Sequence, residues 1–315
     1  MELELWQLQQ LQGLPLEVKI RKTQERIKEW YEHWNGQVCI GFSGGKDSTV
    51  LLHIAREVYP DIEAVFVDTG LEYPEIRAFV KTFDNVTWLK PKMNFKQVIE
   101  QHGYPVISKR VSRQIHDVKK HGENCWAWGC FNGREKGFYN MEKWKPLIEA
   151  PFKISDQCCN VMKKKPAKEY SKKTGKKAII GTMTYESQQR EATWLKQGCN
   201  AFDNKNPISN PISFWTEQDI LHYVLQNNLQ IATCYGEIIE GDQLEGQTVL
   251  DGCMTNLTTS KCKRTGCMFC MFGVHLEKEP NRFQMMKETH PKQYDYCINK
   301  LGLGKVLDFI SVKYE

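Results

Sequence analysis

The apolar run Val38-Cys39-Ile40-Gly41-Phe42 breaks off at Ser43-Gly44-Gly45-Lys46-Asp47-Ser48, and a second apolar segment, Thr49 to Ala55, follows at once. That order predicts a buried strand, a tight loop and a helix. Two glycines let the backbone approach a ligand closely, and the start of a helix offers unpaired N–H groups to an anion. Ser43 and Ser48 add hydroxyl donors, and Lys46 adds a positive charge. The site suits phosphate, with a nucleotide as the natural carrier. It is not the longer Walker loop, because the second Gly-Lys spacing is missing.

The same alternation continues downstream. Leu16 to Trp34 has helical spacing, with Ile20, Ile27, Trp30 and Trp34 on the apolar side. Glu63 to Val67 reads as a second strand ending in Asp68-Thr69-Gly70, Pro74 to Thr82 as helix, Asn85 to Leu89 as a third strand and Phe95 to His102 as helix. Strand and helix in turn predict an α/β fold: a parallel twisted sheet with helices on both faces. Ligands of such sheets sit beyond the carboxyl ends of the strands, where both Ser43-Gly44-Gly45 and Asp68-Thr69-Gly70 fall.

Tyr104 to Ile154 reads as irregular, Lys163 to Thr174 as a polar helix and Ala178 to Gly181 as another strand. Pro207 to Pro211 reads as a loop, and Thr216 as the cap of a helix Glu217 to Asn227. Gly236 to Gly266 is a turn-rich insertion, and Asn281 to Ile310 is mostly helical. The expected division is a helical segment over 1–35, a nucleotide-binding α/β domain over 36–235 and a cysteine-rich, helical portion over 236–315.

No apolar run is long enough to cross a bilayer. Met1 to Gln12 lacks the basic start and apolar stretch of a secretory signal, so a cytoplasmic protein without a membrane partner is expected. The net charge is +5, but the basic residues are clumped at Lys109, Arg110 and Arg113, at Lys119 and Lys120, at Lys163 to Lys165, and at Lys261, Lys263 and Arg264. Such groups are either solvated faces or contacts for an anionic ligand. The group from Lys172 to Lys177 reads as a solvated face. Twelve cysteines in a chain of this kind point to metal binding, redox work or sulfur handling rather than to disulfides.

Ser43-Gly44-Gly45-Lys46-Asp47-Ser48 resembles the pyrophosphatase loop of the adenine nucleotide alpha-hydrolase superfamily. Val67-Asp68-Thr69-Gly70 with Tyr73-Pro74-Glu75 resembles the second-strand motif of its sulfate-metabolising branch, and Glu186-Ser187-Gln188-Gln189-Arg190 the Glu-Ser-x-x-Arg segment of the phosphoadenosine-phosphosulfate reductase family. By that resemblance Gly44, Gly45 and Ser48 contact phosphate, Asp47 helps place magnesium, Asp68, Thr69 and Gly70 lie near the adenosine or the metal, and Glu186, Ser187 and Arg190 serve the anionic part of the nucleotide. Arg190 can fork onto a phosphate as lysine cannot. Read on their own, Asp68 could cap a helix, Lys46 could be a solvated charge and Arg190 could form a surface salt bridge. Asn210-Pro211 through Trp215-Thr216 also fits the family and reads as structural.

Cys158-Cys159 resembles the paired-cysteine motif of iron–sulfur sulfonucleotide reductases, and Cys267-Met268-Phe269-Cys270 its distant partner. The resemblance implies one 4Fe–4S cluster on Cys158, Cys159, Cys267 and Cys270, with Cys262 as a substitute ligand. Four thiolates also suit a structural zinc, although adjacent cysteines serve one tetrahedral ion awkwardly. Lys163 to Lys165 and Arg264 would offset the cluster's negative charge. Cys125 and Cys130 read either as a second thiol site or as packed residues.

Two departures redirect the function. Sulfonucleotide reductases carry a catalytic cysteine in a Cys-Gly-Leu-His segment near their C-terminus, whereas no cysteine follows Cys297 here. Their first loop is generally degenerate, whereas this one is intact and resembles members that split ATP between the α and β phosphates. The pairing of loop and cluster resembles DNA phosphorothioation proteins and tRNA-thiolating enzymes. The expectation is a pyrophosphate-releasing, adenylating sulfurtransferase in which Lys46, Asp47 and Arg190 serve catalysis on ATP with Mg2+. A polyanionic acceptor (DNA or tRNA) and a sulfur donor such as a cysteine desulfurase would be its partners. The alternatives are a thiol-dependent phosphoadenylyl-sulfate or adenylyl-sulfate reductase that releases sulfite, and a non-catalytic nucleotide-binding module of a defence or mobile-element complex.

Overall fold

The loop-bearing strand lies in the interior of a six-stranded sheet. The computed structural model of the protein describes residues 3–241 and 256–315. Its strands are β1 (Val38–Gly41), β2 (Ala64–Val67), β3 (Val86–Leu89), β4 (Val106–Ile107), β5 (Lys177–Ile180), β6 (Asn200–Ala201), β7 (Ile208–Ser209), β8 (Ile238–Glu240), β9 (Leu257–Thr259) and β10 (Met271–Phe272). The large sheet has the order β3-β2-β1-β5-β7-β6. Its pairings are parallel except β6–β7, which is antiparallel. The chain runs outward from β1 through β2 to β3, then returns on the other side of β1 with β5. Strand order therefore reverses between β1 and β5, and in open α/β sheets the crevice at such a reversal is where ligands sit. The register pairs Val38 with Lys177 and Gly41 with Ile180, so the two strands end level.

The elements follow from side-chain pattern. Val38 and Ile40 of β1, Ala64 and Phe66 of β2 and Ile179 of β5 share one buried core with Val50, Leu51, Ile54 and Ala55 of the helix Lys46–Val58. Each large apolar side chain so buried contributes about 1.5–3 kcal/mol. The expected helix Thr49–Ala55 begins three residues earlier, so Lys46, Asp47 and Ser48 form its first turn. The expected helix near Leu16 spans Leu16–His33 and is tied down by buried polar contacts. Lys19 forms an ion pair with Asp219 at 2.7 Å. Thr23 Oγ1 donates to the Pro211 carbonyl and accepts from Trp215 Nε1 at 3.0 Å. Thr216 caps the helix Glu217–Gln226, as its position suggested. The segment from Asn210 to Thr216 is thus structural, in line with its reading from sequence.

Two segments differ from expectation. Tyr104 to Ile154 is not irregular throughout: it holds the helix Lys109–His121, capped by Ser108, whose Oγ accepts from Val111 N–H at 3.1 Å. Val111, Ile115 and Val118 are its buried side, a spacing hidden among its basic residues. Pro207 to Pro211 is not all loop, because Ile208–Ser209 forms β7 and joins the large sheet. Part of the turn-rich insertion expected over Gly236 to Gly266 lies outside the described residues. Of the rest, β8 pairs with β9 in an antiparallel ribbon.

The chain forms two compact units, divided otherwise than composition suggested. The first comprises residues 1–68, 72–89 and 167–265 and holds the large sheet. The second comprises 69–71, 90–166 and 266–315. In the second, β4 and β10 pair in parallel, Tyr104 Oη donates to the Leu301 carbonyl at 2.8 Å, and Phe152 packs edge-on against Phe309. Residues 90–166 therefore fold with the C-terminal segment, and the first unit extends past the expected boundary at 235, because Tyr235 and Thr265 are bound into it. Among the described residues no helix is long and apolar enough to cross a membrane.

Candidate functional site

The Ser43–Ser48 loop leaves β1 at the strand-order reversal and is held by its own hydroxyls. Ser48 Oγ accepts from Ser43 N–H at 3.2 Å and donates to the Gly45 carbonyl at 2.9 Å, and the two serine hydroxyls lie 3.0 Å apart. Gly44 has φ +72°, and a Cβ there would come within 2.7 Å of Val80 Cγ2 and 2.9 Å of Ile76 Cγ2. Only glycine fits that conformation and that space. Gly181, just beyond β5, presses on the first helical turn: a Cβ there would meet the Asp47 carbonyl and Ser48 Cα at 3.3 Å.

Lys46 is not a solvated charge. Its side chain is 3% exposed, and its ammonium lies 3.1 Å from Glu217, 3.5 Å from Asp47 and 3.3 Å from the Lys263 carbonyl. Its backbone N–H donates to the Tyr235 hydroxyl at 3.1 Å, which in turn is hydrogen-bonded to Thr265 Oγ1 at 2.7 Å. Asp47 Oδ1 is buried, and the Lys46 ammonium at 3.5 Å is its ion-pair partner. Burial raises the Asp47 pKa, opposed by Lys46 and Arg264 and reinforced by Glu217.

The segment after β5 supplies the rest. Ser187 caps the helix Gln188–Gln197. Glu186 forms ion pairs with both Arg190 and Arg264, the latter at 2.5 Å. Burial lowers the Arg190 pKa, and the neighbouring Arg264 lowers it further, against Asp47 and Tyr185. The Tyr185 hydroxyl is pushed up to about 12, mainly by burial, with Glu217 and Asp47 adding to it and Arg264 opposing. The first unit thus brings Ser43, Gly44, Gly45, Lys46, Asp47 and Ser48 into one electrostatic neighbourhood with Glu186 and Arg190. Arg264, expected beside the cysteines, belongs to this group instead, because Glu186 provides its counter-charge. Asp68, at the end of β2, is buried and paired with Arg77 at 2.8 Å, while Thr69 and Gly70 belong to the second unit. Sequence reasoning did not assign Glu217, Tyr235, Thr265 or Gly181 to the site. The only signals were that Glu217 directly follows Trp215-Thr216 at the start of the capped helix and that Gly181 ends the expected strand Ala178–Gly181.

The second unit gathers four thiols. Cys158 is pushed up by burial and by the sulfurs of Cys267, Cys159 and Cys270, with Lys163 opposing. Cys270 is raised by burial, while the Phe272 N–H, Arg282 and Lys163 favour its thiolate. Cys267 and Cys270 lie on a turn closed by Cys270 N–H to the Cys267 carbonyl at 3.1 Å, and Arg282 donates to the Cys270 carbonyl at 3.0 Å. Among the described residues, no three His, Cys, Asp or Glu side chains converge to hold a single metal ion. Cys262 lies in the first unit, its backbone N–H donating to the Cys234 carbonyl at 3.4 Å. Cys130 is fully buried, with Cys125 among the groups that act on it electrostatically. Cys297, the last cysteine, is fully buried and its thiol is raised by burial alone.

A sheet reversed at β1, with a glycine loop, a buried lysine and paired arginines at its carboxyl end, is the setting the sequence motifs require. The profile of the phosphoadenosine phosphosulfate reductase domain matches residues 37–272. The chain belongs to this family. The family lies within the PP-loop superfamily, and the match covers the strand, loop and arginine segment together with both cysteine pairs. Among curated relatives, an uncharacterized protein of Methanocaldococcus jannaschii is 25% identical over 89% of this chain, which spans 52% of that protein's length. An adenosine 5'-phosphosulfate reductase of Staphylococcus epidermidis is 22% identical over 65% of this chain and 68% of its own. Among solved structures, the phosphoadenylyl-sulfate reductase of Candida auris aligns with a TM-score of 0.40 at 14% identity, over 74% of this chain and 91% of that one.

Proposed function

We propose that this family member is an ATP-dependent sulfur-transfer enzyme that activates an acceptor by adenylation and releases pyrophosphate. The observation that carries this reading is the intact loop with a buried Lys46 ammonium held at 3.1 Å from Glu217 and 3.5 Å from the buried Asp47 Oδ1. In this reading the triphosphate exchanges with Glu217 for Lys46 and with Glu186 for Arg190 and Arg264. Ser43, Gly44, Gly45 and Ser48 line the phosphates, and Asp47 holds the Mg2+. An acceptor oxygen attacks the α phosphorus, the bond to the bridging oxygen breaks, and pyrophosphate leaves. The protein's part is positioning and neutralisation of the charge that develops, for which fixed cations in a shielded pocket are effective. The adenylated acceptor then loses AMP to an incoming sulfur nucleophile.

Cys158, Cys159, Cys267 and Cys270 would hold a 4Fe–4S cluster. A single zinc would take the same four thiolates at about 2.3 Å from one point, which adjacent cysteines serve awkwardly, whereas a cluster spreads its thiolates over separate irons. Such a cluster supplies one-electron redox chemistry. Lys163 and Arg282 favour the charged thiolate at Cys270. A polyanionic acceptor, DNA or tRNA, and a cysteine-desulfurase-type donor suit this scheme.

The test is ATP–pyrophosphate exchange on anaerobically purified protein, with DNA, tRNA and no acceptor in parallel. Exchange that disappears in Lys46→Met supports the proposal. No exchange and no AMP formation with any acceptor overturns it, and tight ATP binding without turnover would mark a binding module. The names of the curated relatives favour a second reading, sulfite release from adenylyl sulfate or phosphoadenylyl sulfate. Sulfite formation with a dithiol reductant would establish it in place of the first.

A further inference from the structure

Cys262 has no part in the thiol group of the second unit, and its own setting is distinctive. Cys234 precedes Tyr235, whose hydroxyl accepts from Lys46 N–H. Cys262 precedes Lys263, whose carbonyl accepts from the Lys46 ammonium at 3.3 Å. The two backbones are joined by Cys262 N–H to the Cys234 carbonyl at 3.4 Å, and Thr259 Oγ1 donates to the Cys262 carbonyl at 2.9 Å. The two thiols act on each other electrostatically. Both are free thiols, Cys234 buried and Cys262 partly exposed. Disulfides bridge backbones that are close neighbours, so joining these sulfurs needs little beyond side-chain rotation.

We propose that Cys234 and Cys262 form a redox-active dithiol site that reacts with disulfides, Cys262 as the attacking thiol and Cys234 as the resolving one. The environment divides the roles. The neighbouring Cys234 thiol and the Lys46 charge lower the Cys262 pKa against burial and the Glu75 carboxylate, while Cys262 and burial raise that of Cys234, and Cys234 is the more buried of the two. Only Cys262 is open to a substrate. Its thiolate attacks one sulfur of a small disulfide, forms a mixed disulfide and expels one thiolate. Cys234 then attacks Cys262 Sγ, the second thiolate leaves with the Cys234 proton, and the protein disulfide remains. Two electrons pass from the dithiol to the small disulfide, and an external dithiol reverses the step. In the oxidised form the segments bearing Tyr235 and Lys263 are cross-linked, which holds the Lys46 ammonium on the Lys263 carbonyl.

The test uses the full chain equilibrated with oxidised and reduced glutathione, alkylated, digested without reductant and mapped by mass spectrometry. The expected product is one peptide pair joined through Cys234 and Cys262, unchanged in Cys199→Ser. Cys234→Ser should accumulate glutathione on Cys262, and Cys262→Ser should leave Cys234 alkylated only. Glutathione on other cysteines while Cys234 and Cys262 stay reduced would overturn the proposal, as would attack on Cys234 first. A consequence rests on the nucleotide reading above: the oxidised form should bind ATP roughly tenfold more weakly, the scale of one lost charge-assisted hydrogen bond. If neither form binds ATP, that reading fails and the cross-link still decides the dithiol. If both forms bind ATP equally, the coupling to Lys46 is refuted.

Discussion

Gly44→Ala tests the loop geometry most directly. Residue 44 has φ +72°, a conformation that costs an L-residue roughly 1–2 kcal/mol. The added methyl would stand 2.7 Å from Val80 Cγ2 and 2.9 Å from Ile76 Cγ2, where carbons pack best at about 3.5–4.0 Å. Both neighbours are buried side chains of the helix Pro74–Val80, so the loop or that helix must shift. Overpacking of this kind costs about 1–3 kcal/mol, which brings the total to roughly 2–5 kcal/mol. Gly175→Ala is the matched control in the same unit: φ is +76° and nothing lies within 4 Å of the added Cβ. It should lose only the conformational part, about 1–2 kcal/mol. Thermal unfolding followed by circular dichroism should show Gly44→Ala lower in Tm by roughly 5–15 °C. Equal losses in the two variants would refute the steric argument and with it the loop conformation.

Burial raises the Asp47 pKa in the fold, so its contribution to stability is full below the ordinary carboxylate pKa and is lost as pH rises through the folded value. Asp47→Asn should therefore raise Tm at neutral pH and remove that part of the pH dependence while weakening Mg2+-dependent ATP binding, read by calorimetry. Thr23→Val leaves Trp215 Nε1 and the Pro211 carbonyl without their buried partner and should cost about 1–3 kcal/mol in urea unfolding. Cys158→Ser should abolish broad absorption near ~400 nm and reduce iron and sulfide content in anaerobically purified protein, whereas Cys262→Ser should leave both unchanged.

The sheet was legible because β1 and β2 are apolar runs that end at glycine or aspartate signals, and β3 is a short β-prone run that ends before Pro91. What the sequence hid was of two kinds. The helix Lys109–His121 was masked because Val111, Ile115 and Val118 are interleaved with lysine and arginine, so charge drew attention away from the spacing. β7 was masked because two residues, Ile208 and Ser209, carry no periodicity between two prolines. In the site, the motif residues were legible because their chemistry is local. Their partners were not, since Glu217, Tyr235, Thr265 and Arg264 reach the loop only through the fold. The expected boundary at 235 cut between Tyr235 and Thr265, two residues joined by a 2.7 Å hydrogen bond.

Those partners also balance the charge around the loop. Lys46, Arg190 and Arg264 face Asp47, Glu186 and Glu217, three cations against three carboxylates. Lys46 is buried, so its charge would be costly without Glu217 and Asp47 nearby. Glu186 likewise separates two guanidiniums that would repel each other if they stood alone. Under the proposed function, a bound triphosphate replaces these internal counter-ions rather than entering a vacant positive pocket. Each exchange trades one ion pair for another, so the net gain comes from contacts the carboxylates cannot make: bidentate forks from the arginines and a cation bridging Asp47 to phosphate. A monoanion would break the internal pairs and leave carboxylates unmatched. Under that proposal the site should favour a polyanion that brings its own metal, and removing Glu186 (Glu186→Gln) should broaden binding toward simple phosphate, read by calorimetry, while lowering stability through the freed Arg190–Arg264 repulsion.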